Sequence, residues 1–113
     1  MNFVNLTPHV IRLNDGTEIQ PTAPAARVNA SHSNFDHNNI CTVNYGRVEN
    51  LPAPKDDTMY IVSLLVAQGI VDHNHHLNPG NERVDVVYPA TGHPECIRKD
   101  GQVYSVPGFV RYF

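Results

Sequence analysis

The sequence predicts an α+β fold: a mostly antiparallel β-sheet with one or two short helices, in a single domain spanning residues 1–113. Three observations lead there. Apolar and polar residues alternate along much of the chain, the period of a half-buried strand. Two Asp-Gly dipeptides, in LNDGT and RKDGQ, lie between short alternating runs and read as hairpin turns. One run, LLVAQGI, is apolar on nearly every side of a helix and follows Ser63, an N-cap residue.

Taken in order, Thr7-Pro8-His9 marks a bend between two short strands. In VIRLNDGTEIQ, a three-residue loop of Asn14, Asp15 and Gly16 sets Ile11 against Ile19 and Arg12 against Glu18, one apolar pair and one ion pair. A two-residue loop would oppose Leu13 to Glu18 and Arg12 to Ile19, so the longer loop is expected, with Gly16 left-handed. AARVNAS (25–31) and ICTVNYGRV (40–48) read as strands joined by the polar loop SHSNFDHNN. NLPAPKDD is a proline-marked connection, and TMYIV (58–62) is a strand of β-branched and aromatic residues. The helix follows, and its apolar circumference must be covered either by the sheet or by a second chain; a domain this small has little with which to cover both sides, so a homodimer is expected. VDHNHHLNPGNE (71–82) reads as a polar loop. The same hairpin pattern in CIRKDGQVYSV, with a Lys99-Asp100-Gly101 loop, sets Ile97 against Val103, Arg98 against Gln102 and Cys96 against Tyr104. Ile97 and Val103 are then expected in the core, with Arg98, Gln102 and Tyr104 together on the outer face.

A net charge of −3 argues against a general DNA or RNA binder. The cations are skewed toward Arg, with Arg12, Arg27, Arg47, Arg83, Arg98 and Arg111 against Lys55 and Lys99. Arg reads phosphates and carboxylates bidentately and stacks on rings, although most such residues are solvated surface charges. The MNFVNLTPH start lacks the pattern of a signal peptide, and no apolar run nears the roughly 20 residues that span a bilayer. A cytoplasmic protein with reduced Cys41 and Cys96 and no membrane partner is expected.

Several groupings bear on chemistry. Asp72, His73, His75 and His76 form DHNHH, but the spacing matches no zinc module and a solvated loop is the better reading, so no metal is expected. Cys96 and His93 lie three residues apart, an awkward spacing for a nucleophile and its base. No P-loop, GxGxxG or GxSxG occurs, and neither a catalytic residue nor a cofactor is expected. The turn PATGHP is different: Thr91 offers a hydroxyl, Gly92 permits close backbone approach or an anion nest, and Arg98 follows on the next strand. Asp85 precedes it on a strand and could accept from a ribose hydroxyl or an adenine amino group. A purely structural turn weighs about equally on these residues alone.

Four blocks, NLTPHVIRLNDG, ARV (26–28), LPAPKDDTMYIVSLLVA (51–67) and DVVYPATGHPECIRKDGQVYSVPGF (85–109), cover nearly the whole chain in order. Together they resemble the short phage and prophage proteins of the first anti-Thoeris sponge family. That resemblance implies a non-catalytic protein that sequesters a cyclic ADP-ribose-type immune signal, in some members also cyclic oligonucleotides, in the cytoplasm of an infected bacterium. It also implies β-rich homodimers that assemble into hexamers, with pockets at subunit interfaces. On this chain it points to Arg98 and Arg27 as phosphate or ribose contacts, Thr91 and Gly92 as the rim, Asp85 as an acceptor, and Tyr104 and Phe109 as stacking platforms. Arg47 stands where an acidic residue is expected, and the His-rich stretch is longer than the family connection, which bears on ligand choice. Two other readings compete: a small enzyme that cleaves such a signal, and a phage protein that blocks a host protein directly.

Overall fold

The computed structural model of the chain describes residues 1–77 and 83–111. In chain order the elements are β1 (Asn2–Asn5), β2 (Ile11–Arg12), β3 (Glu18–Ile19), β4 (Arg27–His32), β5 (Val43–Glu49) and β6 (Thr58–Ile61). Helix α1 (Leu64–Leu77) follows, then β7 (Val86–Pro89), β8 (Ile97–Lys99), β9 (Gln102–Ser105) and β10 (Phe109–Arg111). The class is α+β, dominated by strands, with a single helix among the described residues.

The centre is a four-stranded sheet in the order β1-β6-β7-β10, and it departs from the antiparallel expectation. β1 and β7 both run parallel to β6, and only β10 is antiparallel to its neighbour. The cause is the strand–Ser63–helix–strand sequence: a helical crossover returns the chain to the start of the sheet, so β6 and β7 must point the same way. The three remaining sheets are the antiparallel hairpins β2–β3, β4–β5 and β8–β9.

β6 is covered on both faces. Tyr60 and Val62 point into a cluster with Leu6, Ala26, Val66, Ala67, Ile70 and Val86, whereas Met59 and Ile61 point into one with Ile11, Val87 and Val106. Each fully buried large apolar side chain there contributes about 1.5–3 kcal/mol. The chain is thus three layers: α1 with β4–β5, the central sheet, and the hairpins β2–β3 and β8–β9. Gly69 lets α1 press against the base of β4–β5, since a Cβ there would sit 3.0 Å from a Val28 methyl. Phe3 and Phe109, from the two edge strands, meet on the hairpin side with ring centroids 5.1 Å apart.

Ser63 caps α1 as expected, its Oγ accepting from the Val66 N–H at 3.3 Å. The helix is longer than its apolar run predicts. The stretch expected as a loop from residue 71 continues α1 through Leu77. Once nucleated and packed, a helix propagates through Asp, His and Asn at a small cost per residue. Residues 78–82 of that expected loop lie outside the described residues, as do the side chains of His73, His75 and His76.

Hairpin β2–β3 has the expected register, with Ile11 opposite Ile19 and Arg12 opposite Glu18. Hairpin β8–β9 does not. Lys99 pairs with Gln102 and Arg98 with Val103, and a bulge then sets Ile97 opposite Ser105. Asp100 and Gly101 both have positive φ, 53° and 78°, the signature of a two-residue type I′ turn. Ile97 and Val103 are therefore exposed, and Ser105 and Val106 enter the core instead.

Candidate functional site

Three parallel strands release the chain on the same side of the sheet. Thr7 to Ile11 follow β1, Ser63 and Leu64 follow β6, and Pro89 and Thr91 close β7; all of them line one open cleft of about 860 Å³. Its far wall comes from Arg12 on β2, from Gln102 to Ser105 on β9, and from Val106 just after it. The crevice beyond the carboxyl ends of parallel strands is where sheets of this kind place ligands, because helix N-termini and loops converge there. Here the N-terminus of α1 opens onto it through Ser63 and Leu64.

The rim after β1 is held by Asn5, which is fully buried and makes four hydrogen bonds. Its Nδ2 donates to the carbonyls of His9 (2.8 Å) and Ile19 (3.0 Å). Its Oδ1 accepts from the Thr7 N–H (2.9 Å) and hydroxyl (2.6 Å). One side chain thus fixes the Thr7-Pro8-His9 bend and ties it to hairpin β2–β3.

The far wall carries charge on an aromatic ring. The Arg12 guanidinium lies 4.6 Å from the Tyr104 ring centroid, and Lys99 Nζ lies over the same ring at 3.6 Å. Glu18 Oε2 accepts from both Nε (3.2 Å) and Nη2 (2.8 Å) of Arg12. Those bonds, and after them the Tyr104 phenol, push the guanidinium pKa up from its ordinary value, and Arg12 stays a cation under all working conditions. Arg12 and Tyr104 also line a smaller cleft of about 410 Å³, which Glu18 and Gln20 line as well. The two side chains are thus a partition between the clefts.

The seven residues singled out from sequence separate into groups. Thr91 and Tyr104 line the main cleft. Arg98 stands behind the rim, its Nη2 donating to the Thr91 carbonyl at 3.1 Å. It does not share a face with Tyr104, because the two-residue turn sets Lys99, not Arg98, beside Gln102 and Tyr104. Gly92 forms no left-handed nest, and a Cβ there would meet nothing within 4 Å. The N–H groups of Thr91 and His93 on either side donate to Pro89 and Ala90 of the same turn. Asp85 precedes β7, at the end away from the cleft, in a bidentate pair with Arg83 at 2.9 Å. Phe109 packs against Phe3 on the hairpin side of the sheet. Arg27 pairs with Glu49 on hairpin β4–β5 at 3.2 Å.

Arg12, His9, Ser63 and Tyr88 were not legible as cleft residues. Arg12 showed itself in the sequence as one of six arginines and as the partner of Glu18, and its approach to Tyr104 depends on two hairpins packing side by side. Cys96 packs against the Ile11 cluster, and the nearby His93 uses Nδ1 to accept from the Glu95 N–H. Among the described residues no group of three or more His, Cys, Asp or Glu is placed to hold a metal, and no helix is long and apolar enough to cross a membrane.

Comparison with protein-family models, with curated proteins and with solved structures finds no match to this chain.

Proposed function

We propose that this protein binds and sequesters a cyclic ADP-ribose-type signal, or a cyclic oligonucleotide, in the cleft where β1, β6 and β7 end, and so blocks bacterial anti-phage defence from the host cytoplasm. The observation that carries the reading is the cleft itself. Its volume of about 860 Å³ lies within the range of small-molecule sites, and a helix N-terminus and an Arg12–Tyr104 wall face it. A phosphate bears the charge such a helix end and guanidinium recognise, and a nucleobase or ribose fills the apolar remainder. The whole-chain resemblance to anti-Thoeris sponges supplies the ligand class.

The same reading includes assembly. Leu64 and Leu65, each 46% exposed, stand at the first turn of α1, and Leu64 lines the cleft. A second copy covering them would close the mouth of the site, which supports a homodimer or larger ring with its pockets at the interface.

Incubation with cyclic ADP-ribose isomers and cyclic dinucleotides, followed by a thermal melt and recovery of the ligand, tests the proposal. A raised melting temperature with intact ligand released on denaturation is the expected result, since a ligand held only by the folded state must stabilise it. Linear product would make the protein an enzyme instead. No shift with any of these ligands would favour direct capture of a host protein.

A further inference from the structure

Arg12 and Tyr104 border both clefts, whereas Glu18 borders only the smaller one, and Glu18 draws two guanidinium N–H groups onto a single carboxylate oxygen. We infer that Glu18 is an internal competitor for Arg12: it parks the guanidinium in the partition wall, and a ligand phosphate entering the large cleft takes Arg12 from it. The inference rests on the large cleft being the nucleotide site.

The geometry supports exchange rather than permanence. The pair is about 40% exposed on both sides, with 38% for Arg12 and 42% for Glu18, so water and salt weaken it. Arg12 keeps further donors, because Glu18 engages only Nε and Nη2. The ring beneath the guanidinium gives it a surface on which to turn without losing its cation–π contact. Lys99, over the same ring, keeps a positive charge at the wall when Arg12 moves. Only a ligand charged strongly enough to displace a carboxylate gains Arg12. The wall therefore selects pyrophosphate-bearing ligands over neutral nucleosides of the same shape.

The test uses the full chain and isothermal titration with three probes: cyclic ADP-ribose, inorganic pyrophosphate and adenosine. Glu18→Gln keeps the shape of the pair and removes the competing charge. It should tighten cyclic ADP-ribose and pyrophosphate about two- to fivefold, the span of a half-exposed ion pair, and leave adenosine unchanged. Arg12→Ala should weaken both anions and also abolish the gain from Glu18→Gln in the double variant. Melting temperatures near wild type confirm that each variant is folded. Unchanged or weaker anion binding in Glu18→Gln overturns the inference, as does a gain that survives Arg12→Ala, which would make Glu18 a background charge only. If pyrophosphate shows the coupled behaviour and cyclic ADP-ribose does not bind, the latch stands and the signal reading falls. If cyclic ADP-ribose binds with no dependence on Arg12 or Glu18, the signal reading stands and the latch falls.

Discussion

Both β2–β3 and β8–β9 turn on Asp-Gly, yet the first closes around three residues and the second around two. In the first, only Gly16 is left-handed, at φ 95°, and Leu13 donates to the Thr17 carbonyl across the loop. In the second, Asp100 and Gly101 are both left-handed and Lys99 pairs directly with Gln102. The dipeptide accepts either geometry, so something else chooses. For β2–β3 it is burial: Ile11 reaches the core opposite Ile19, and a two-residue loop would set Ile19 against Arg12. For β8–β9 no such pair is at stake, since Ile97 and Val103 remain 43% and 42% exposed, and the turn that best matches strand twist prevails. Buried partners choose a register, and the turn residues only permit it.

The sharpest way to break that contrast is to truncate the matching isoleucines. Ile11→Ala should cost about 3 kcal/mol in urea denaturation, as a buried Ile does, whereas Ile97→Ala should cost about 0.5 kcal/mol or less. Similar losses at both positions would show that the second hairpin is also fixed by apolar burial, and the comparison would fail.

A smaller effect is expected where the hairpins join. Asn14 Nδ2 donates to the Glu95 carbonyl at 2.9 Å, and Asn14 Oδ1 accepts from the buried Ser105 hydroxyl at 2.6 Å. Asn14→Ala should cost about 2 kcal/mol, because it leaves that hydroxyl without its acceptor away from water. Adding Ser105→Ala should recover part of the loss in a double-mutant cycle, the mark of a direct pair. Since Arg12 and Tyr104 belong to these two hairpins, Asn14→Ala should also loosen the wall of the cleft.

How far the sequence could be read follows the same division. Local signals were legible: the Ser63 cap, the bend at Thr7-Pro8-His9, the register of β2–β3 and the strands on either side of the helix. The unbroken MYIV run made burial of that strand on both faces legible, because such a strand does not alternate. Its parallel pairing was not legible, because the same run also fits an antiparallel strand. The site was harder. Thr91 and Tyr104, singled out through a turn and an aromatic residue, line the cleft, whereas Asp85, Phe109 and Arg27 lie away from it, at an end or face of a strand that the sequence does not specify. Arg98 was misplaced by a one-residue difference in loop length, which moves it to the opposite face from Tyr104. Arg12 could not be found, since its neighbour across the wall lies more than ninety positions along the chain.

The last contrast between the two turns is in their acids. Asp15 Oδ1 accepts from the Thr17 N–H at 2.9 Å, and this bond holds the Asp15 carboxyl below the usual carboxylate range. A carboxyl depressed in the folded state contributes stability above its unfolded pKa and loses it as pH falls through the lower folded value. The contribution of Asp15 should therefore be intact at neutral pH and disappear below about pH 4. Asp15→Asn keeps an acceptor for Thr17 and removes the titration, so its melting temperature should fall less than that of wild type between pH 5 and pH 2. The difference should be slight, because the group is exposed. Asp100→Asn, at a left-handed position that Asn also fills, should leave the neutral-pH melting temperature unchanged and serves as the matched control for turn geometry. If Asp15→Asn follows wild type throughout the acid range, the negative charge of Asp15 adds nothing to the three-residue loop, and a neutral acceptor for Thr17 serves it as well.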